Sequence, residues 1–250
     1  MAPCMAALGF LTILPLPKSW REDHDALGRS VPMFPFVGIL IGILMVACDA
    51  FFTRFLPTAP ASVLTAIAML AISGGLHMDG LSDTADGFFS ARPREPALEI
   101  MRDSRIGAMG VMAIVAVFFL KVVLLGTVPP EHRLAVILFM PLAGRCAMMI
   151  PMSMLPYART EGGLATVFHA HQSGAHSFWA QAFLVAGGFL LLHEAGAWAA
   201  VTVMVAAHGL AIYMRRKIGG MTGDTLGAVC ELCELIPAIF MIAWQRAMAS

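Results

Sequence analysis

The sequence predicts an all-α, polytopic integral membrane protein, a bundle of about six to seven transmembrane helices with an N-terminal interfacial or re-entrant segment. Of its 250 residues, 59% are hydrophobic and 13% are charged. Soluble domains usually carry about 25% charged residues, so this chain lacks half of the usual charged surface. Sixteen basic residues balance sixteen acidic ones. No nucleic-acid partner is expected, because no excess positive charge is available to attract phosphates.

Seven apolar stretches are candidates for membrane crossing. A spanning helix needs roughly 20 mostly apolar residues, since the hydrocarbon layer is about 30 Å thick and each residue rises about 1.5 Å. The stretches are 33–56, 61–76, 106–128, 133–155, 178–192, 195–213 and 228–248. The number of crossings within 178–213 stays open, because only His193 and Glu194 separate that pair. The stretch 3–16 is too short to cross. Without an internal repeat or a linker, residues 1–250 are expected to form a single membrane-embedded domain.

Basic residues indicate the orientation. If segment 18–32 lies in the cytoplasm, alternation places segments 77–105, 156–177 and 215–227 on the same side. Eleven of the sixteen basic residues then face the cytoplasm, as the positive-inside rule requires. The chemistry described next is concentrated in these segments, so the sequence predicts an active site facing the cytoplasm.

The first of these segments carries a row of carboxylates. Asp79, Asp83 and Asp86 stand at i, i+4 and i+7, which places them in a stripe roughly 60° wide on a helix. Gly80 flanks the stripe, where a missing side chain would let a ligand approach the backbone. Adjacent carboxylates about 6 Å apart repel by roughly 3 kcal/mol at an effective dielectric near 20. We therefore expect bound cations: Mg²⁺, or Mn²⁺ as a substitute, with oxygens enough for two ions that clamp a diphosphate.

Three further elements contribute candidate residues. Arg102 and Arg105 suit phosphate through their planar fork of donors, although a juxtamembrane salt-bridge cluster is the alternative. The glycine-rich segment 219–227 forms either a simple turn or a phosphate or nucleotide cradle at a helix entrance, with Gly223 and Thr225 as contacts. Arg145 lies in the middle of an apolar stretch; it either reaches a substrate phosphate or pairs with an acidic residue.

At these residues the chain resembles the cobalamin synthase family. The matching blocks are 10–17, 34–42, 77–87, 99–107 and 223–227, which are spaced over almost the whole chain. One departure is Ile13, where the family's opening motif is expected to have an arginine. The resemblance implies a multi-pass enzyme of the cell inner membrane that needs magnesium. The implied activity is that of an adenosylcobinamide-GDP ribazoletransferase, which joins adenosylcobinamide-GDP to alpha-ribazole or its 5′-phosphate and releases GMP late in cobalamin biosynthesis.

Such a reaction assigns roles to the acidic residues. A ribose hydroxyl attacks a phosphorus of a diphosphate, and catalysis consists mostly of positioning and charge neutralisation. We expect the three stripe aspartates to form the metal platform, with Asp103 as a further ligand or as the general base. Asp224 is the rival base. Sequence alone does not decide between them, because a base must lie within hydrogen-bond reach of the hydroxyl.

Two other functions compete with this interpretation. A CDP-alcohol phosphotransferase of phospholipid synthesis also arranges aspartates around metal ions, but its usual Ala-Arg pair after the second aspartate is replaced here by Thr84 and Ala85. A cation transporter is the less favoured alternative, because transporters usually place their sites near the bilayer midplane and show repeated halves. The sequence does not decide between a monomer and a homo-oligomer.

Overall fold

A computed structural model describes residues 2–17, 24–159, 168 and 173–249. Within these residues the structure is helical and has no strand, with one isolated β-bridge between Tyr157 and Met221. A single 3₁₀ turn, Val31–Met33, precedes the third helix. The helices are α1 (Ala2–Leu11), α2 (His24–Gly28), α3 (Phe34–Phe55), α4 (Thr58–Ile72), α5 (Leu76–Phe88), α6 (Arg94–Ile100), α7 (Ala108–Thr127), α8 (Pro130–Met154), α9 (Gly174–Ile218) and α10 (Gly223–Ala249). The predicted all-α class is confirmed.

Five helical segments of the described chain are long and apolar enough to span a membrane: Val31–Phe55, α7, α8, α9 and α10. Helices α4 and α5 pass the same test only when taken together, and the chain bends by 87° between them. The 13 residues of α5 rise only about 20 Å. We therefore treat α5 as a helix at the membrane border, outside the membrane-spanning segments. Helix α1, with ten residues, is likewise too short to cross.

Helix α9 is a hairpin. The backbone leaves helical values at Leu192 and His193. Gly188 and Gly196 would lie about 12 Å apart in a continuous helix. Instead, a Cβ placed on Gly188 would lie 2.8 Å from the carbonyl carbon of Gly196. The two halves therefore fold back on each other, in agreement with the two predicted stretches 178–192 and 195–213.

Helix α8 occupies the centre of the bundle, where it packs against α3, α9 and α10. The contact with α3 is made by main chain, because a Cβ on Gly42 would lie 3.0 Å from the Cα of Leu138. Small residues give this close approach in membranes, where helix association depends on packing. At one end of α8, Arg133 donates to the carboxylate of Asp49 at 2.6 and 2.9 Å, and Thr65 donates to the same carboxylate at 2.8 Å. This ion pair joins α3, α4 and α8.

Candidate active site

A cavity of about 250 Å³ lies where α5 and α10 begin and α8 ends. Residues of the segments 77–105, 156–177 and 215–227 line it together with residues of α1, α3 and α8. The three segments therefore meet, as the sequence predicts. One side is apolar and contains the rings of Phe10, Phe34 and Phe168, whose centroids lie 4.9 to 6.4 Å apart. The polar side chains that line the cavity are His77, Asp79, Tyr157, Arg159 and Asp224.

Helices α5 and α10 start side by side. A Cβ on Gly80 would lie 2.9 Å from the Cα of Asp224, and one on Gly227 would lie 3.1 Å from the Cα of His77. At Gly80 the sequence predicts the approach of a ligand, but the missing side chain makes room for the backbone of α10 instead. The atoms of Gly80 still line the cavity. Two helix N-termini open on the cavity, and each carries a partial positive charge that favours an anion.

Asp79, which lines the cavity, and Asp83, which lies one turn further along α5 and outside the cavity lining, present open carboxylates. Within the described residues, neither carboxylate has a hydrogen-bond or ion-pair partner. Burial raises the pKa of Asp83 to about 7, and the negative charges of Asp79 and Asp224 add to the rise. The positive charge of Arg159 offsets only part of this rise, so this part of the site holds an excess of negative charge.

These carboxylates suit a hard divalent cation. Across the described part of the chain, no three His, Cys, Asp or Glu side chains converge as a ready-made metal cage. Mg²⁺ seldom needs such a cage, because it keeps several waters and binds through one or two carboxylates together with substrate phosphates. Asp79 and Asp83 could supply those carboxylates. The donor set therefore fits Mg²⁺ better than a metal that requires a full set of protein ligands.

Asp86, the third predicted ligand, has a structural task. Its Oδ2 accepts a hydrogen bond from the amide of Gly107 at 2.7 Å, and its Oδ1 accepts one from Gly110 at 2.8 Å. A Cβ on Gly107 would lie 2.7 Å from the Cγ of Asp86, so this glycine makes room for the carboxylate. Asp86 thus satisfies amides at the start of α7, in the manner of a helix cap.

Asp103 and Arg105 pair with each other away from the cavity. Arg105 donates to Asp103 through Nε at 3.1 Å and through Nη2 at 2.6 Å. These hydrogen bonds lower the pKa of Asp103 to about 2, which makes it a weak base. Neither residue lines the cavity. Arg102 lines a neighbouring cleft of about 220 Å³, to which Arg159 also contributes.

The sequence alone does not single out Arg159, although its side chain lines the cavity. Its Nη2 donates to Oδ2 of Asp224 at 2.6 Å, and the hydroxyl of Thr222 donates to the same oxygen at 3.3 Å. No motif surrounds Arg159, so only the folding of the chain reveals its position. The structure places Asp224, and not Asp103, in the cavity.

Only part of the glycine-rich segment 219–227 lines the cavity, so the segment does not form a complete phosphate cradle. Gly223 lines the cavity, and the position of its missing Cβ is open. Thr225 is buried and turned away: its hydroxyl accepts from the amide of Thr222 at 2.9 Å and donates to the Thr222 carbonyl at 3.0 Å. The predicted substrate contact at Thr225 is therefore replaced by a hydrogen-bonded first turn of α10.

Arg145 also does not make the substrate contact that the sequence offers as one of two alternatives. It pairs with Glu234 inside the bundle, and Lys121 donates to Glu234 and Glu231, at 2.8 Å in each case. The alternative of acidic pairing is thus the one observed, as expected for an intramembrane charge. Arg145 does not line the cavity and approaches it only through His77, whose Nδ1 lies 3.5 Å from Nη2 of Arg145.

Comparison with known proteins shows the family. A family model described as cobalamin-5-phosphate synthase matches residues 3–242. The chain belongs to the cobalamin-5-phosphate synthase family. Curated relatives named adenosylcobinamide-GDP ribazoletransferase include one from Herpetosiphon aurantiacus, 42% identical over 236 residues and 92% of each chain. Another, from Desulforamulus reducens, is 37% identical over 242 residues and 96% of each chain. No solved structure matches.

The family match agrees with the resemblance of the motif blocks and does not favour a CDP-alcohol phosphotransferase. In this cobalamin-5-phosphate synthase family member, four of the five blocks line the cavity. Blocks 10–17 and 34–42 contribute Phe10 and Phe34, and blocks 77–87 and 223–227 contribute the two helix starts. The fifth block, 99–107, supplies the Gly107 amide that binds Asp86.

Proposed function

We propose that this chain is an adenosylcobinamide-GDP ribazoletransferase, which joins adenosylcobinamide-GDP to alpha-ribazole or its 5′-phosphate and releases GMP. Family membership and the names of the relatives support the proposal. The observation that carries it is the cavity at which two helix N-termini, an arginine and the open carboxylate of Asp79 meet. That combination suits a phosphate group bound together with a divalent cation.

Residues in and beside the cavity have different roles. The starts of α5 and α10, together with Arg159, provide positive charge for the diphosphate. Asp79 and Asp83 are the proposed ligands of Mg²⁺, with Mn²⁺ as a substitute. When bound, the cation neutralises charge on the phosphates. Asp86 and Asp103 are not retained as ligands, because each carboxylate is engaged with protein donors.

The chemical step is a substitution at phosphorus. The ribazole hydroxyl oxygen forms a bond to the cobinamide-side phosphorus, and the bond from that phosphorus to the bridging oxygen breaks. The bridging oxygen leaves with GMP and takes the bonding electron pair. Asp224 accepts the hydroxyl proton, because of the two candidate bases it is the one that lines the cavity.

The volume of the cavity limits which part of the substrate enters it. A volume of about 250 Å³ is below the roughly 300–1,000 Å³ of sites that enclose a drug-sized ligand. The reacting phosphates therefore enter, while the corrin ring stays outside.

We propose that the protein lies in the cell inner membrane with this cavity facing the cytoplasm, as the basic residues of its loops indicate.

The test uses the full chain, purified in lipid nanodiscs. Incubation with adenosylcobinamide-GDP, alpha-ribazole and Mg²⁺ should release GMP and form a cobamide in equal amounts. Omission of alpha-ribazole should stop GMP release, and so should EDTA until Mg²⁺ is restored. GMP release that is independent of alpha-ribazole, or no release with either form of ribazole, would contradict the proposal.

A further inference from the structure

One polar atom in the wall of the cavity has no role in the proposed mechanism. His77 is only 3% exposed and lines the cavity. Among the described residues, its Nε2 has no hydrogen-bond partner. Leaving a buried polar atom unpaired is costly, and native proteins leave few such atoms. A ligand in the cavity would supply the missing partner.

The other nitrogen of His77 indicates which tautomer is present. Nδ1 lies 3.5 Å from Nη2 of Arg145, and a guanidinium can only donate hydrogen bonds. Nδ1 therefore offers its lone pair to Arg145. In a neutral imidazole the hydrogen then resides on Nε2. A nitrogen that carries hydrogen cannot ligate a metal, so the ring faces the cavity as a hydrogen-bond donor.

Arg145 is itself held in place from within the bundle. Its guanidinium pairs with Glu234, and Lys121 binds the other oxygen of that carboxylate at 2.8 Å. The chain of contacts runs from α7 through α10 and α8 to α5, and it ends at the cavity. The intramembrane charges thus set the orientation of a side chain in the site.

The partner of the Nε2 hydrogen is an acceptor, and the cavity favours an anionic one. First-turn residues of both α5 and α10 line it, and helix N-termini attract phosphate. We propose that His77 donates its Nε2 hydrogen to a phosphate oxygen of the ligand, and that Arg145 is the positioning residue that fixes this tautomer. The identity of that ligand as the diphosphate substrate rests on the proposed function.

Two variants distinguish hydrogen-bond donation by His77 from a role in packing. Gln at position 77 places an N–H donor near the position of Nε2, whereas Asn places one near Nδ1. Because a hydrogen bond to a charged group is stronger than one between neutral groups, His77→Asn should lower kcat/KM by about 10- to 100-fold. His77→Gln should recover most of the loss. Equal losses in both variants, with unchanged thermal stability, would overturn the proposal.

The role of Arg145 needs a variant that keeps the ion pair. Arg145→Lys preserves the positive charge beside Glu234 but lacks the fork that reaches His77. It should lower kcat/KM in the natural background and have little further effect in the His77→Asn background, since coupled residues are not additive. Additive losses in the two backgrounds would show that Arg145 acts independently of His77.

A measurement without turnover keeps this proposal distinct from the proposed function. In protein labelled with ¹⁵N-histidine, His77 is assigned among the eight histidines by its absence in His77→Gln. The spectrum should show the tautomer protonated at Nε2, and inorganic pyrophosphate should shift that signal. If pyrophosphate shifts it but no ribazole transfer occurs, the proposed function fails and the role of His77 stands. A signal that pyrophosphate leaves unchanged, or the other tautomer, would overturn the role of His77.

Discussion

The Oδ2 of Asp86 accepts a hydrogen bond from the amide of Gly107 at 2.7 Å, which ties the end of α5 to the start of α7. Two turns earlier on the same stripe, Asp79 lines the cavity. Residues of one type, at regular helical spacing, thus serve different purposes. Substitutions along this stripe should separate stability from activity.

Asp86→Ala should reduce both stability and activity. Loss of a capping side chain costs about 0.5–2 kcal/mol, and here two amides lose their partner. The apparent melting temperature in nanodiscs should fall, and transfer activity should fall with it. Asp79→Ala is the matched control, which should inactivate the enzyme without lowering the melting temperature measured in the absence of divalent cations. A stable but inactive Asp86→Ala protein would instead return Asp86 to the metal platform.

Asp83 should make stability depend on pH in the absence of divalent cations. Its ordinary pKa of 3.8 rises to about 7 because of burial and neighbouring carboxylates. Folding therefore disfavours the ionised form, so the penalty is absent below about pH 4, grows between pH 4 and 7, and is complete above pH 7. Asp83→Asn should melt at the same temperature as the natural chain at pH 4 and at a higher temperature at pH 8. Melting curves that differ equally at both pH values would contradict this assignment.

Asp79→Asn should abolish the response to Mg²⁺. In the natural chain, a bound cation stabilises the folded state in proportion to its affinity, so Mg²⁺ should raise the melting temperature at pH 8. The variant should lose this rise and at least about 100-fold in kcat, a barrier increase of about 2.7 kcal/mol. Glu131→Gln, at an exposed position far along the chain, is the control that should behave like the natural protein. Mn²⁺ binding by Asp79→Asn with unchanged affinity would remove Asp79 from the proposed ligands.

Asp224 and Asp103 can be ranked as bases by direct comparison. General base catalysis typically contributes about 10²- to 10⁴-fold, so Asp224→Asn should lower kcat by that amount. Asp103→Asn should have less than about a tenfold effect, because Asp103 lies outside the cavity and is bound to Arg105. Single-turnover rates with pre-bound substrate give the comparison without the binding step. The reverse order of effects would restore Asp103 as the base.

Glu234→Gln should destabilise the membrane bundle. Glu234 accepts from Lys121 and Arg145, and removing one partner of a buried ion pair costs about 3–5 kcal/mol. The double variant Glu234→Gln/Arg145→Gln restores charge balance and should recover part of the loss. Urea titrations in mild detergent measure both proteins. A double variant less stable than Glu234→Gln alone would show that charge balance is not the cause.

The sequence predicts the helices better than it predicts the site, for physical reasons. The apolar stretches are local features, and even the uncertain pair at 178–213 becomes the hairpin of α9. The carboxylate stripe is also local, so the sequence alone is enough to propose Asp79 and Asp83 as candidate ligands. The partner of Asp86 depends on where α7 begins in space, and no spacing along the chain contains that information.

Contacts between residues of distant segments cannot be predicted from the sequence for the same reason. Arg159 meets Asp224 across 65 positions, and Arg145 meets Glu234 across 89. Charge type indicates that each needs a partner, but not which one. The predicted phosphate contact at Arg145 follows from its charge, and its observed pairing follows from the crossing of α8 and α10.

The close approach of Gly80 to Asp224 and of Gly227 to His77 has a consequence for redesign. One wall of the reaction chamber has its spacing set by backbone atoms, which no change of rotamer can move. Larger residues at those two glycines would push α5 and α10 apart, together with the groups they carry. Engineering toward a different nucleotide or base would therefore succeed more readily at the phenylalanine side of the chamber, where side chains alone define the shape.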